Sequence, residues 1–250
     1  MSHNKSSLDK ACLVIGAGDD TGGAIARAFA REGYTACITR RPRHADALEA
    51  LAQSIRDEGG KARAFPSDAR EEEEMTGLID TIESEVGPLE VAVFNIGANV
   101  HFPVLETTTR VYRKVWEMAA FSGFMMGREA ARVMVPRERG SILFTGATAS
   151  VRGQAGFSAF SGAKHAVRAL AQSMARELAP HNIHVAHVIV DGAIDSNFIR
   201  ETYAGHVDQM RAEDAILSPD EIAKNYVWLH NQHRSAWTHE LDLRPWKEKW

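Results

Sequence analysis

Short apolar runs alternate along this chain with longer stretches of helical periodicity. The strand candidates are ACLVI (11–15), YTACIT (34–39), ARAF (62–65), VAVFN (91–95), SILFT (141–145), IHVAHVIV (183–190) and AWTHELDL (236–243). Between them, helices are predicted near 22–32, 44–58, 70–86, 107–135, 160–179 and 219–230. In the 160–179 segment Ala163, Val167, Leu170, Met174 and Leu178 recur at helical spacing and form one apolar stripe for the core. The last helix opens on SPDE, with Ser218 as its cap and Pro219 in the first turn. The run EEEE (71–74) is a solvated helix start, where carboxylates favour the positive end of the dipole. Mostly apolar strands that alternate with helices predict an α/β fold: a doubly wound parallel sheet of about seven strands, Rossmann-type, covered on both faces. No repeat or linker interrupts the pattern. The expectation is a polar N-terminal tail (1–10) and a single domain (11–250).

Composition narrows the function. The 250 residues are 44% hydrophobic and 25% charged, ordinary for a soluble globular chain. A net charge of −4 implies no general attraction to nucleic acid or to an anionic membrane. No apolar run approaches the ~18–20 residues of a membrane span. The opening MSHNKSSLDK lacks the apolar core of a secretory signal. Cys12 and Cys37 both lie in apolar strands, which predicts buried, reduced thiols and a cytoplasmic protein. The partner expected is a small-molecule substrate, with no nucleic acid and no membrane.

The first strand leads into LVIGAGDDTGGAIARAFA, a glycine-rich turn that opens a helix. Such a turn lets backbone N–H groups approach a pyrophosphate, which then rests on the helix N-terminus. From here the chain resembles the short-chain dehydrogenase/reductase family over nearly its whole length. That family's turn reads T-G-x-x-x-G-x-G. Gly16 matches the first glycine and Gly22 the last, while Asp20 replaces the middle glycine and Ile15 the leading Thr. FNIG resembles the family's N-N-A-G, with Asn95 and Gly97 kept. Asp68 in FPSDA matches the acid that contacts adenine. DGAIDS resembles P-G-x-x-x-T: Gly192 is kept, Asp191 replaces Pro, and Ser196 keeps a hydroxyl for the cofactor. The resemblance implies a cofactor-binding set of Gly16, Asp20, Thr21, Gly22, Arg40, Asp68, Asn95, Gly97, Lys164, Gly192, Ile194 and Ser196, and no metal.

The end of the second strand selects the cofactor. NAD sites place an acid there, on the ribose hydroxyls. This chain reads CITRRPR, with Thr39 in the acid's place and Arg40 after it. A guanidinium suits a 2′-phosphate, so NADP(H) is preferred and NAD(H) remains an alternative. Asp19 and Asp20 count against this, because they put negative charge beside the phosphates.

The family's catalytic set is a Tyr, a Lys four residues later, a Ser thirteen residues before the Tyr, and an Asn in the long helix after strand four. Here Lys164 is kept. Phe160 stands at the Tyr position, Ala147 at the Ser position, and Ala119 or Ala120 at the Asn position. Hydride transfer to a carbonyl creates an alkoxide that must be protonated and stabilised. Loss of a positioned general acid costs ~10²–10⁴ in rate. Lys164 would keep the task of binding ribose hydroxyls. Three explanations stay open. The first is a substitute acid: Thr148, Ser161, His101 or a water held by Lys164. Strand alternation would turn Thr148 to the other face, one helical step would turn Ser161 away, and His101 lies in the loop after strand four. The second is another reaction on the same scaffold, such as reduction of an enone or iminium, an isomerisation or a lyase step. The third is a catalytically silent dinucleotide-binding protein that acts as a partner subunit or sensor.

SGAK (161–164) matches an S-x-x-K motif, but the S-D-N and K-T-G strings that accompany it elsewhere are absent. His181, His184 and His187 lack metal-helix spacing. The substrate pocket is expected from loops 98–104, 147–157 and 193–210, which bring Arg152, Gln154 and Phe157 to it. A lid is expected over about 193–212, with Phe198, Tyr203 and Met210. Trp246 and Trp250 suggest an oligomer contact or a pocket cover. The family pairs its two long helices across an interface, so the resemblance implies a homodimer or homotetramer. The reading that leads is an NADP(H)-dependent oxidoreductase with a non-standard catalytic set.

Phe160→Tyr alone is expected to leave carbonyl reductase activity weak, because Ala147 still denies the substrate oxygen its usual donor. Steady-state reduction of a carbonyl panel checks this, and a large gain from the single change would refute it.

Overall fold

Alternate residues of each central strand serve opposite faces of one sheet, and this periodicity builds the fold. The computed structural model describes residues 9–18, 20–202 and 205–248. Its strands are β1 (Ala11–Ile15), β2 (Thr35–Thr39), β3 (Lys61–Ala64), β4 (Leu89–Phe94), β5 (Gly140–Thr145), β6 (Ile183–Val190) and β7 (Glu240–Leu243). All pair in parallel, in the order β3-β2-β1-β4-β5-β6-β7. The expected doubly wound, seven-stranded, single-domain architecture is therefore present.

The helices are α1 (Thr21–Arg31), α2 (Ala45–Asp57), α3 (Glu72–Glu85), α4 (Thr109–Trp116), α5 (Ser122–Met134), α6 (Ser158–Leu178), α7 (Asn197–Thr202), α8 (Val207–Ala212) and α9 (Pro219–His230). Leu13, Phe94, Ile142 and Phe144 face one layer, where they meet Met75 and Ile79 of α3, Met125 of α5 and Val167 of α6. Val14, Ile38, Val93 and Leu143 face the other, against Ile25 and Phe29 of α1, Leu48 of α2 and Tyr226 of α9. Cys12 and Cys37 are buried free thiols, and burial pushes the Cys37 thiol up to about 12. β1 lies between β2 and β4, so the chain winds away from it in both directions. A crevice must open there, at the carboxyl ends of the strands.

Several boundaries differ from those expected. The helix drawn over 107–135 is α4, a five-residue π turn (Glu117–Phe121) and α5. Ala119 and Ala120 sit in that wider turn and pack into the core. The last strand begins at Glu240 rather than 236. Residues 234–236 form a tight turn, and Gln232 grips the next segment through the Thr238 N–H and hydroxyl and the Trp237 indole. The expected lid folds as α7 and α8. Ser218 occupies the cap position of α9 without a side-chain cap bond. Glu71–Glu74 are exposed as expected, and Glu74 also accepts the Asp68 backbone N–H at 2.7 Å.

The sheet is joined to α9 by a buried polar contact. The Thr145 hydroxyl meets the Tyr226 hydroxyl at 2.6 Å, and burial raises the Tyr226 pKa. Tyr226→Phe is expected to lower stability by about 1–3 kcal/mol in urea unfolding, because the Thr145 hydroxyl is left orphaned. Adding Thr145→Val should recover most of that loss.

Candidate active site

The carboxyl ends of β1, β4, β5 and β6 open into a cleft of about 530 Å³. It continues around the glycine turn into a hollow of about 230 Å³ beside the ends of β2 and β3. Gly16, Gly18, Asn95 and Gly97 line both.

The turn is closely fitted. Gly16 has φ +86°, and a Cβ on Gly22 would lie 2.5 Å from the Gly16 carbonyl oxygen. Asn95 Nδ2 donates to that same oxygen at 3.2 Å, tying the end of β4 to the turn. A Cβ on Gly97 would meet nothing within 4 Å, and one on Gly18 would reach the Arg40 guanidinium carbon at 4.0 Å. Thr21 is buried at the start of α1. Asp20 directs its carboxylate to the Asn197 N–H of α7 at 3.0 Å, joining the turn to the lid. Asp19 lies outside the described residues.

Lys164 lies on the second turn of α6, buried at 2% exposure. Its Nζ donates to the Thr145 carbonyl at 2.8 Å and to the Ile96 carbonyl at 3.0 Å. An ammonium has three donors, and the third has no acceptor among the described residues. The Phe160 ring covers the group, with its centroid 5.9 Å from Nζ. Burial pulls the Lys164 pKa from 10.5 down to about 8.

Thr148 corrects the expectation from strand alternation. β5 ends at Thr145, and residues 148–150 form a 3₁₀ turn held by the Ser150 N–H on the Ala147 carbonyl and the Ala147 N–H on the Ser150 hydroxyl. Alternation therefore no longer governs Thr148, which lines the cleft and donates its hydroxyl to Asp191. Ala147 and Phe160 line it too and offer no polar side-chain atom. Ser161 also belongs to the cleft wall, against the expectation that it points elsewhere, but its hydroxyl is buried and unpartnered. His101 is exposed and outside the cleft lining, its ring edge-on to Phe157 at 4.9 Å. Arg152, Gln154 and Phe157 line the cleft. His184 stacks on Trp237 and His187 bonds Glu240, and no metal-ligating cluster occurs among the described residues.

The smaller hollow is basic. Arg40 is joined by Arg41, His44 and Arg70, which residue-by-residue matching did not single out. The run RRPR was the available signal for Arg41; His44 follows it directly, and Arg70 comes from the loop after β3. Burial and the Arg40, Arg43 and Arg41 guanidiniums lower the His44 pKa below its ordinary range. Asp68 lines this hollow with its carboxylate on the Arg70 guanidinium, which pulls the carboxyl pKa down.

The segment after β6 is braced by Asp195, which accepts from Arg200 at 2.8 Å and Arg211 at 2.6 Å. Ser196 caps α7 by accepting the Ile199 N–H, and Ile194 bridges to Leu217. Phe198 and Ile199 line the cleft; Met210 lies in α8. The C-terminal segment folds back here. Pro245 packs on Gly192, where a Cβ would meet it at 2.8 Å, and the Trp246 indole donates to the Glu213 carbonyl at 3.0 Å. Tyr203 and Trp250 lie outside the described residues.

A glycine turn at the sheet's switch point, continuous with a buried lysine, defines a dinucleotide-binding α/β protein. The family model for short chain dehydrogenase matches residues 10–206. The chain belongs to the short-chain dehydrogenase family and is an oxidoreductase of that type. It is 31% identical over 189 residues to the Bacillus subtilis protein Uncharacterized oxidoreductase YxjF, covering 75% of this chain and 72% of that one. The crystal structure of a short-chain dehydrogenase from Rhodopseudomonas palustris superposes with a TM-score of 0.81 at 46% identity, over 95% of this chain and 99% of that one. An actinorhodin polyketide ketoreductase with NADPH shares the fold at 22% identity, with a TM-score of 0.85 over 98% of each chain. These likenesses favour an oxidoreductase over the silent alternative. Among the described residues, no helix is long and apolar enough to cross a membrane.

The buried cation carries a stability signature. Between about pH 8 and 10.5 the unfolded chain keeps a proton that folded Lys164 has lost, so stability rises with pH across that window. Below pH 8 the full burial cost is present, roughly 3 kcal/mol for such a shift. Urea unfolding of wild type relative to Lys164→Met should show this rise, and parallel curves would contradict it.

Proposed function

We propose that the protein transfers hydride between NADP(H) and a small organic substrate, a carbonyl, enone or imine. A nicotinamide dinucleotide, when bound, supplies or accepts the hydride. The residues fit that group: Gly97 leaves open space along the groove, and Lys164 keeps an unpaired N–H for the ribose hydroxyls. Gly16, Gly22 and Asn95 shape the phosphate turn, with Thr21 at the start of α1. Asp68, Gly192, Ile194 and Ser196 take the positions the family pattern gives to adenine and carboxamide contacts.

One observation carries the preference for the 2′-phosphate. Arg40, Arg41, His44 and Arg70 gather around the hollow where the adenosine end would rest, with Thr39 in place of an acid. Burial and the Arg43 charge lower the Arg41 pKa, against the pull of Asp68. Cations that crowd one another this way gain when an anion joins them.

The substrate end is largely apolar, with Phe157, Phe160 and Phe198 around it and Arg152 and Gln154 as polar contacts. Trp116 of α4, Phe121 of the π turn and Phe124 of α5 stack in a row, with Trp116 and Phe124 exposed, which supports pairing of the long helices in a homodimer or homotetramer. The buried free thiols support a cytoplasmic setting.

Tryptophan-fluorescence titration tests the cofactor reading. NADPH is expected to bind more tightly than NADH. Arg40→Ala should weaken NADPH about 10-fold or more, the size of a lost charge-assisted hydrogen bond, with NADH nearly unaffected. Tighter NADH binding by the wild type would overturn the preference.

A further inference from the structure

Asp191 stands where the family pattern has proline, and Ala147 where it has the substrate-binding serine. The two departures meet at one point. The Thr148 hydroxyl, in the cleft wall next to Ala147, donates its hydrogen to Asp191 Oδ1. Asp191 is 2% exposed, and its other oxygen lies 3.1 Å from Arg244, with Arg152 at 3.8 Å from Oδ1. Behind it lies a second hollow of about 410 Å³, lined by Arg152, Asp191, Glu240, Asp242 and Arg244. Asp191 lines this hollow and Thr148 lines the cleft, with Arg152 on the wall of both, so the hydrogen bond between them runs from the cleft to the hollow.

We propose that Thr148 and Asp191 form a proton relay between the substrate oxygen and this second hollow, in place of the missing tyrosine. The inference rests on the oxidoreductase reading above.

A hydroxyl has one hydrogen, and Thr148 gives it to Asp191, so the oxygen's lone pairs are left to accept from the cleft. An alcohol O–H can donate to them. In the oxidative direction the carbinol C–H pair leaves as hydride to the oxidised dinucleotide, and C–O becomes C=O. The alcohol proton passes to Thr148 Oγ1 as the Thr148 proton passes to the Asp191 carboxylate. The resulting acid loses its proton to water in the second hollow. Reduction runs the same transfers backwards, and the Thr148 hydroxyl protonates the alkoxide. Thr148 is the catalytic residue in this scheme, and Asp191 acts through it as the positioning and proton-storing partner. The charged groups around Asp191 are Arg152, from the segment after the 3₁₀ turn, Arg244 and Asp242, at the end of β7, and Glu240, within β7.

The test uses full-length protein with NADPH and two activated carbonyls, diacetyl and phenylglyoxal. Thr148→Val and Asp191→Asn are each expected to lower kcat about 100-fold or more, while Thr148→Ser keeps it within about threefold. NADPH Kd should stay within about threefold of wild type in all three variants, which separates the relay from the cofactor reading. A readout without cofactor is the carboxyl carbon signal of Asp191 in ligand-free, carbon-13-labelled protein, assigned by its loss in Asp191→Asn. Its chemical shift should move in Thr148→Val, which removes the hydroxyl that donates to the carboxylate. The relay is overturned if Thr148→Val turns over as wild type does, if the Asp191 signal does not move, or if the variants lose activity only in step with NADPH binding. Failure of the wild type to reduce either carbonyl also overturns it, and NADPH binding would still stand or fall on its own titration.

Discussion

The ammonium of Lys164 is the constraint around which the cleft is built. A cation taken out of water needs acceptors, and here two backbone carbonyls supply them, one just past β4 and one at the end of β5. Those bonds hold three elements together at the switch point of the sheet: α6, β5 and the loop after β4. The Phe160 ring closes over the group and keeps water away, which is why the lysine titrates so low. A phenol in that place would have shared its proton with the lysine's field; a phenyl ring can only shield it. Lys164 is thereby a buried cation held by backbone carbonyls, beside a ring that has no proton to give.

The departures from the family pattern are not scattered. Asp20 replaces a glycine of the turn and reaches across to the first N–H of α7, so the turn and lid share a bond. Asp191 replaces proline and receives the Thr148 hydroxyl. The C-terminal segment, which lacks the family's paired glycines, packs its proline on Gly192 and anchors its tryptophan behind α8. Two of these changes meet residues that line the cleft, Thr148 and Gly192. Asp191 and Asp195 each receive two arginines.

Much of this was legible in the chain. Apolar alternation in β1 and β4 assigns residues to two cores without any knowledge of their partners, because pleat geometry sends neighbours to opposite faces. Gly16 and Gly22 stand out in the sequence because they match the family's glycine turn, and the structure adds that a Cβ at either would crowd backbone. Lys164 was identifiable by its spacing from Phe160. Thr148 was misread because alternation was extended three residues past the point where β5 stops. Ser161 was misread because a rotation of one helical step does not say where the cleft wall curves. The long helix after β4 was drawn as continuous because a π turn leaves the apolar periodicity almost unchanged.

Taken by itself, the sequence determined what depends on neighbours along the chain: strand and helix periods, the glycine turn, the missing tyrosine and the surviving lysine. Only the tertiary structure decided what depends on residues brought together from afar. It gathered Arg70 beside Arg40 and Arg41, and it set Asp191 against Thr148, 43 residues away in the chain. The reason is physical: local sterics and hydrogen bonding select a residue's conformation, but the charge and donors that face it come from whichever strands and loops the sheet order places alongside.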